Sequence, residues 1–577
     1  MRRTSLTLLM LFIAPVLHAA PVPIPTDALV VVQLNGRGPV AERVGQFLAA
    51  AHPDAAKDLP KRLRKALDEA APGRDLDAVT PGERVVGLAF TLDGWNSPTP
   101  PWVWLVPVAD AKSFRAKLLT DDERGDFEAG KAGVDRAGPW FLVNRPGHVA
   151  VTASEDAAKA YHASRERLTP ERLGTLSPVV NESDVSLYVN LAGVNAQYGD
   201  AARSAVQFAT LVLQNGGSGP IPAFDPRQLA TVTFALGGLT QALADGRDLA
   251  VGLSVGTDGV TLRAEVAFTP GSPTAKQFAA DKPATLDELT TLPAGFTTYT
   301  ASRWGPAAAA IVRRLTREYQ APPDDDRATA AVTAYDAAGR DGVQVGVSRG
   351  AESASILAVP GAAALTAAHA KLVRTMPQGG YARNVLLAAK PGLRDKAVEA
   401  HGFELRRAEL ALDLDAGVAT IRDANVRQAT LESMKRLVNP RTVLWFGDDG
   451  KRYAQLEAAD PAAATHLLGA LLAETDRVGT NAAFAATRQR LPEAASLLLL
   501  AEAGPTVALL ADYARSVAGA LPAVPGFEVP EFRTLKNPPQ SFVGVAVAAQ
   551  AGRVGLTVVV PAAAAKISVD STVIPAP

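Results

Sequence analysis

Apolar residues in this chain recur in short runs that stop at glycine, proline or aspartate. The run LVVVQL (Leu29–Leu34) is followed by Gly36 and Gly38, then by apolar positions at helical spacing up to Leu48. A strand, a turn and a helix are predicted in that order. Degenerate versions of this succession begin at Val185, Phe296, Asn384 and Ser496, with Gly193, Gly305, Gly392 and Gly504 at the turns. Gly38-Pro39, Gly305-Pro306 and Gly504-Pro505 occupy three of the five turns. Proline in a first helical turn loses nothing there, because its missing N–H would have no intrahelical partner.

Each copy continues into a predicted hairpin. The five pairs are Arg84–Leu92 with Trp102–Val108, Asp248–Val255 with Val260–Phe268, Val343–Ser348 with Ala354–Val359, Glu404–Asp415 with Gly417–Asp423, and Ser541–Ala549 with Arg553–Val560. Turn residues such as Thr257-Asp258-Gly259 and Arg349-Gly350 separate the strands. Two copies carry a second hairpin, from Pro139 and from Thr442, each with a Trp-Phe pair (Trp140-Phe141 and Trp445-Phe446) in its first strand. The repeated unit is strand, helix or helices, hairpin, helix. It predicts an α+β fold with mixed, largely antiparallel sheets, helices mainly on one face and a partly ferredoxin-like topology. The expected organisation is a leader over 1–19, a first unit with extra hairpin over 20–180, a second over 181–290, a bridging third over 291–380, a fourth with extra hairpin over 381–490 and a fifth over 491–577. A duplicated two-unit block, roughly 24–290 and 381–577 with one unit between, is the simplest history.

The N-terminus changes the picture of location. Arg2 and Arg3 precede an apolar stretch, Leu6–Leu17, and small residues follow at Ala19 and Ala20. That is the pattern of a cleaved signal peptide, too short for a comfortable membrane span, with the cut expected after Ala19. Export to the periplasm or beyond is the expectation, with no transmembrane span after cleavage. The chain has no cysteine, which removes disulfides, thiolate metal sites and cysteine nucleophiles. Its 58 basic and 59 acidic residues give a net charge of −1, and −3 once Arg2 and Arg3 are gone. Such a balance argues against a nucleic-acid partner. The basic stretch Lys57–Leu67 reads as the solvated side of an amphipathic helix.

Candidate chemistry is sparse. Gly36, Gly38 and Ala41 fit G-x-G-x-x-A, but the acidic residue at the required distance, Asp58, falls in a lysine-rich helical stretch, and the other copies lose the second glycine. The loop reads as architecture rather than as a dinucleotide cradle. Two segments match the serine-hydrolase elbow, around Ser254 and Ser348, yet both are followed by a second strand instead of a helix. The histidines of the mature chain, His52, His148, His162, His369, His401 and His466, never stand three to five residues apart, so none pairs as a local metal site. His162, His369 and His466 are expected at partly exposed helix positions. Asp324–Asp326 read as a solvated linker. Asp413, Asp415 and Gly417, like Asp448-Asp449-Gly450, read as hairpin turns and not as calcium loops. Trp102 and Trp104 share one face of a strand that is apolar on both faces, so they are expected in the core, with Trp95 nearby.

The mature start IPTDALVVVQLNG, the exits PVADAKSF and EAADPAAATHLL, and the stretch NAAFAATRQRLPEAASLLLLAEAG resemble a large family of exported bacterial proteins classed as a domain of unknown function. That family has no established catalytic residues to carry over, and the residues themselves point to no catalytic, metal or cofactor site. The expected function is therefore non-enzymatic, binding or scaffolding in the cell envelope, with an envelope protein or polysaccharide as partner. The alternative is an exported serine or metal-dependent hydrolase whose site forms no local motif.

Overall fold

The computed structural model describes residues 24–569, apart from 36, 52–55, 58–60, 62–64, 66–73, 76–78, 80–83, 95–99, 131–132, 215–225, 306–307, 310, 313–318, 323, 339–341, 383–384, 420–423, 438 and 507–538. The fold is α+β, and its named strand pairs are antiparallel. Two compact units divide the chain: Met1–Asp200 with Ala242–Pro270, and Ala201–Gln241 with Gly271–Pro577.

The first unit holds β1 (Val30–Leu34), β2 (Val85–Ala89), β3 (Trp102–Pro107), β4 (Phe127–Glu128), β5 (Asp135–Ala137), β6 (Trp140–Arg145), β7 (His148–Thr152), β8 (Val185–Val189), β9 (Gly246–Gly256) and β10 (Gly259–Phe268). Their order across the sheet is β4-β5-β6-β7-β3-β2-β1-β8-β9-β10. Both faces are covered at the centre, so the five residues of β2 are all buried and their sequence runs apolar without alternation. Alternation decides what each face meets. Val149 and Val151 of β7 pack with Phe114 and Leu118 of the helix Ala111–Leu118. Ala150 faces the other way, toward Ala157, Ala158 and Tyr161 of the helix Glu155–Ala163. Asp110 and Ser154 cap these helices by accepting from Ser113 N and Ala157 N, each cap contributing about 1 kcal/mol.

The second unit holds β11 (Thr298–Ser302), β12 (Tyr319–Gln320), β13 (Val343–Arg349), β14 (Glu352–Ala358), β15 (Tyr381–Ala382), β16 (Val385–Leu387), β17 (Gly392–Ala400), β18 (Phe403–Asp413), β19 (Arg441–Asp448), β20 (Arg452–Glu457), β21 (Leu497–Glu502), β22 (Phe542–Gln550) and β23 (Arg553–Pro561). Their main order is β17-β18-β19-β20-β14-β13-β11-β21-β22-β23. A short side sheet, β12-β15-β16, joins the C-terminal end of β18. Trp445 and Phe446, neighbours on β19, point to opposite faces and seed two clusters. The indole of Trp445 donates to the Ala458 carbonyl at 3.0 Å, which offsets the cost of burying its N–H.

Taken strand by strand, the two orders coincide over ten positions, from β4 and β17 at one end to β10 and β23 at the other. The Trp-Phe pairs of β6 and β19 fall at the same place in both orders. The strands β1, β8, β11 and β21 are followed by helical residues near Gly38, Gly193, Gly305 and Gly504. Gly392 is different. It opens β17 instead of a helix, and β18 pairs with β17, while residues 420–423 of the expected second strand lie outside the described residues. Two local interactions account for the difference. The Asp413 carboxylate accepts from Ala416 N at 2.9 Å and starts the short helix Leu414–Val418 where a hairpin turn was expected. β17 is a charged strand whose Asp395 pairs with Arg374 and with Arg406. Such charges, common where a strand has a solvated side, hide the alternation that identifies strands.

Candidate functional site

A part-buried polar cluster of the first unit forms where β1 ends and β8 begins. Asn35, just past β1, donates through Nδ2 to the Asn181 carbonyl at 3.1 Å and to the Ser183 carbonyl. Arg84, just before β2, donates to Asn181 Oδ1 at 2.9 Å and to the Asn181 carbonyl at 2.8 Å. Asp184 accepts from Val255 N of β9 at 2.6 Å and pairs with Arg43 of the helix Arg37–Ala51. Burial lowers the Arg84 pKa from its ordinary value, while its two acceptors keep the guanidinium satisfied. At the same level of the sheet Gln33 is 1% exposed, and both its amide atoms lack a hydrogen-bond partner. The cluster ties two helices, Arg37–Ala51 and Ser177–Glu182, and four strand ends together. Among the described residues its interactions are amide, guanidinium and carboxylate hydrogen bonds that join these elements.

A second buried group lies on β8 and β9, where Tyr188 donates to Asp248 at 2.6 Å and Arg247 pairs with the other carboxylate oxygen at 2.6 Å. Burial first, and the adjacent carboxylate second, push the Tyr188 hydroxyl far above the ordinary phenol range. It stays a protonated donor.

The opening glycine motif is not a nucleotide cradle. β1 lies between β2 and β8, antiparallel to both, whereas a dinucleotide site needs a parallel strand and crossover at that loop. Gly38 sits in the first turn of the helix Arg37–Ala51; Gly36, Asp58 and the basic stretch up to Leu67, apart from isolated positions, fall outside the described residues.

Both serine motifs are strand segments. Ser254 stands opposite Thr261 in the β9–β10 pair. Ser348 lies between Thr298 of β11 and Ser353 of β14. Their glycines have packing reasons. A Cβ on Gly252 would come 2.0 Å from Ser183 Oγ and 2.7 Å from the Val179 carbonyl. Gly350 adopts φ +60° at the β13–β14 turn, a conformation that favours glycine.

The two buried histidines meet tyrosines. His148 Nε2 meets Tyr161 Oη at 2.5 Å. His369 is fully buried, against the expectation of partial exposure, because both ring nitrogens find hydroxyls: Nδ1 with Tyr453 Oη at 2.6 Å and Nε2 with Tyr319 Oη at 3.1 Å. Tyr453 also meets Gln455 Oε1 at 3.1 Å, and the neutral imidazole donates through one ring nitrogen and accepts through the other. Phe446 stacks on the imidazole at 3.9 Å. Burial lowers the His369 pKa to about 3, and the ring is neutral at physiological pH. His162 is half-buried and His466 exposed, while His52 lies outside the described residues.

The acidic clusters serve as caps and turns. Asp325 accepts from Ala328 N at the start of the helix Asp326–Ala338, and Asp448-Asp449-Gly450 forms the β19–β20 turn. Among the described residues no group of three or more His, Asp or Glu could hold a metal ion. Trp102 and Trp104 stack at 5.9 Å and are half-buried, with Trp104 lying over Gly87; Trp95 lies outside the described residues.

No family profile and no curated protein matches this chain. A solved structure, crystal form I of TP0453, is similar at 12% identity over 43% of this chain and 80% of that one, with a TM-score of 0.21. That score is too low to carry an argument.

Proposed function

We propose that the chain is an exported, non-enzymatic protein of the cell envelope that acts by binding or scaffolding, with an envelope protein or a polysaccharide as its partner. One observation carries this reading. The motif serines lie in strand ladders, and the buried histidines are engaged with tyrosine hydroxyls instead. Side chains of catalytic type are thus spent on holding sheets and helices together. The common strand order of the two units supports descent from a duplicated block whose second copy starts near β11, and not near residue 381 with a bridging unit before it, as the sequence alone suggests. The resemblance to exported bacterial proteins belongs to the same reading. Fractionation of cells expressing the full chain, with N-terminal sequencing and envelope pull-down, tests it. The expected product starts near Ala20, in the envelope fraction, with a reproducible protein or polysaccharide companion. A cytoplasmic product that retains Leu6–Leu17 overturns it.

A further inference from the structure

One corner of the second unit's main sheet carries more positive charge than it answers. Arg394 of β17 stands directly opposite Arg407 of β18, and Gly392 stands opposite Glu409. In the next strand pair Arg407 faces Trp445, Glu409 faces Val443 and Ala411 faces Arg441. Opposed residues of an antiparallel pair share a face, as do residues two apart on one strand. Arg394, Arg407, Glu409 and Arg441 therefore lie on one face of β17-β18-β19. As that register requires, the Arg407 guanidinium lies 5.8 Å from the Trp445 ring centre and pairs with Glu409. Arg394 and Arg441 are exposed and make no ion pair among the described residues. Three arginines thus meet one carboxylate. Asp460, two residues beyond the Ala458 N–H that bonds the Val443 carbonyl, is committed to capping the helix Pro461–Leu472 through Ala463 N. The other face of these strands differs, because Asp395 there pairs with both Arg374 and Arg406.

We propose that Arg394, Arg407 and Arg441 bind the acid groups, carboxylate or phosphate, of an anionic polysaccharide laid across this face. The proposal rests on the envelope-binding reading above and narrows its partner. Like charges directly opposite each other destabilise a strand pair, and an oxyanion between Arg394 and Arg407 removes that repulsion. Guanidinium forks take carboxylate or phosphate oxygens bidentately. The surface there is open, since a Cβ added at Gly392 meets nothing within 4 Å. Arg441 stands about 13 Å further along the strand direction, four residues at about 3.3 Å each. One paired site and a third cation at that distance match the repeated acids of a polymer better than one small anion. None of the exposed large hydrophobic residues among those described lies on these strands, so charge complementarity, not apolar docking of a protein or a membrane, selects the partner.

Affinity electrophoresis of the full mature chain tests this, in native gels cast with sodium alginate, with sodium polyphosphate or with neutral dextran. Alginate, polyphosphate or both should retard the parent, dextran should not, and added salt should weaken the effect. Which polymer acts assigns the acid group. The double variant Arg394→Gln, Arg441→Gln should lower the apparent affinity by about tenfold or more, since each lost charge-assisted contact is worth about that factor. Its thermal melt should match the parent's, because both side chains are exposed. The charge-matched control on the other face, Arg374→Gln with Arg406→Gln, should bind like the parent. The proposal is overturned if neither acidic polymer retards the parent, if the Arg394→Gln, Arg441→Gln variant is retarded equally, or if the control loses as much. An envelope companion that co-isolates undiminished with that variant also overturns the site, while leaving the envelope reading in place. Failure of that reading shows separately, as a cytoplasmic product in the fractionation above.

Discussion

Replacing His369 by Gln should remove a large part of the acid sensitivity of the second unit. The imidazole is fully buried and neutral, and its pKa falls from the ordinary 6.5 to about 3 on folding through loss of solvation. Between those values the unfolded chain holds the extra proton. Stability therefore rises with pH across that window and is lost as the pH falls from 6.5 toward 3. At about 1.4 kcal/mol per pH unit, the loss is about 3 kcal/mol at pH 4 and about 5 kcal/mol at pH 3. Glutamine cannot take up that proton. At pH 7 the exchange costs about 1–3 kcal/mol, because two tyrosine hydroxyls lose well-placed partners. The parent is thus more stable at pH 7, and its advantage shrinks or reverses near pH 4. Urea unfolding of both proteins at the two pH values measures this, and the carboxylates they share cancel in the difference. A stability gap that stays constant from pH 7 to pH 4 refutes the reasoning.

Glu123 accepts from Arg74 at 2.8 and 2.6 Å, Trp140 Nε1 at 2.8 Å and Thr120 N at 2.9 Å. Burial raises its pKa, but Arg74, the Thr120 N–H and Trp140 together bring it below the ordinary value. Glu123→Ala should cost about 3 kcal/mol at pH 7 by leaving Arg74 half-buried and unpaired, and an unchanged urea midpoint would count against the network. The stabilisation from Glu123 should be present above the ordinary carboxylate pKa and fade as the pH falls through the folded value, so parent and Glu123→Ala should converge in acid. Gly252→Ala should destabilise by about 2 kcal/mol or more, since the new methyl meets the Val179 carbonyl at 2.7 Å; a neutral melt would show that the helix Ser177–Glu182 can move aside.

Much of the sheet was legible because the turns announce it. The β2–β3, β6–β7, β9–β10, β13–β14, β19–β20 and β22–β23 hairpins lie where apolar runs flank Gly or Asp turns. β17 was not legible: its Arg394, Asp395, Lys396 and Glu399 make a strand look like a solvated helix. The polar cluster at the end of β1 left no local trace, since Arg84 and Asn181 are 97 positions apart and Asn35 and Ser183 are 148 apart. His369 misled for a chemical reason. Sequence marks histidine as polar, but a neutral imidazole buries readily once both nitrogens find hydroxyls, and those come from β12 and β20, far away in the chain.

Labelling of the native chain with a serine-reactive phosphonate tests the non-enzymatic reading most directly. A serine nucleophile needs a base within about 3 Å and donors aimed at the oxyanion, and Ser254 and Ser348 stand in strand pairs opposite Thr261 and Ser353. The account predicts no stoichiometric labelling, and melts of Ser254→Ala and Ser348→Ala within about 0.5 kcal/mol of the parent. Stoichiometric labelling that either substitution abolishes would contradict it and identify a hydrolase.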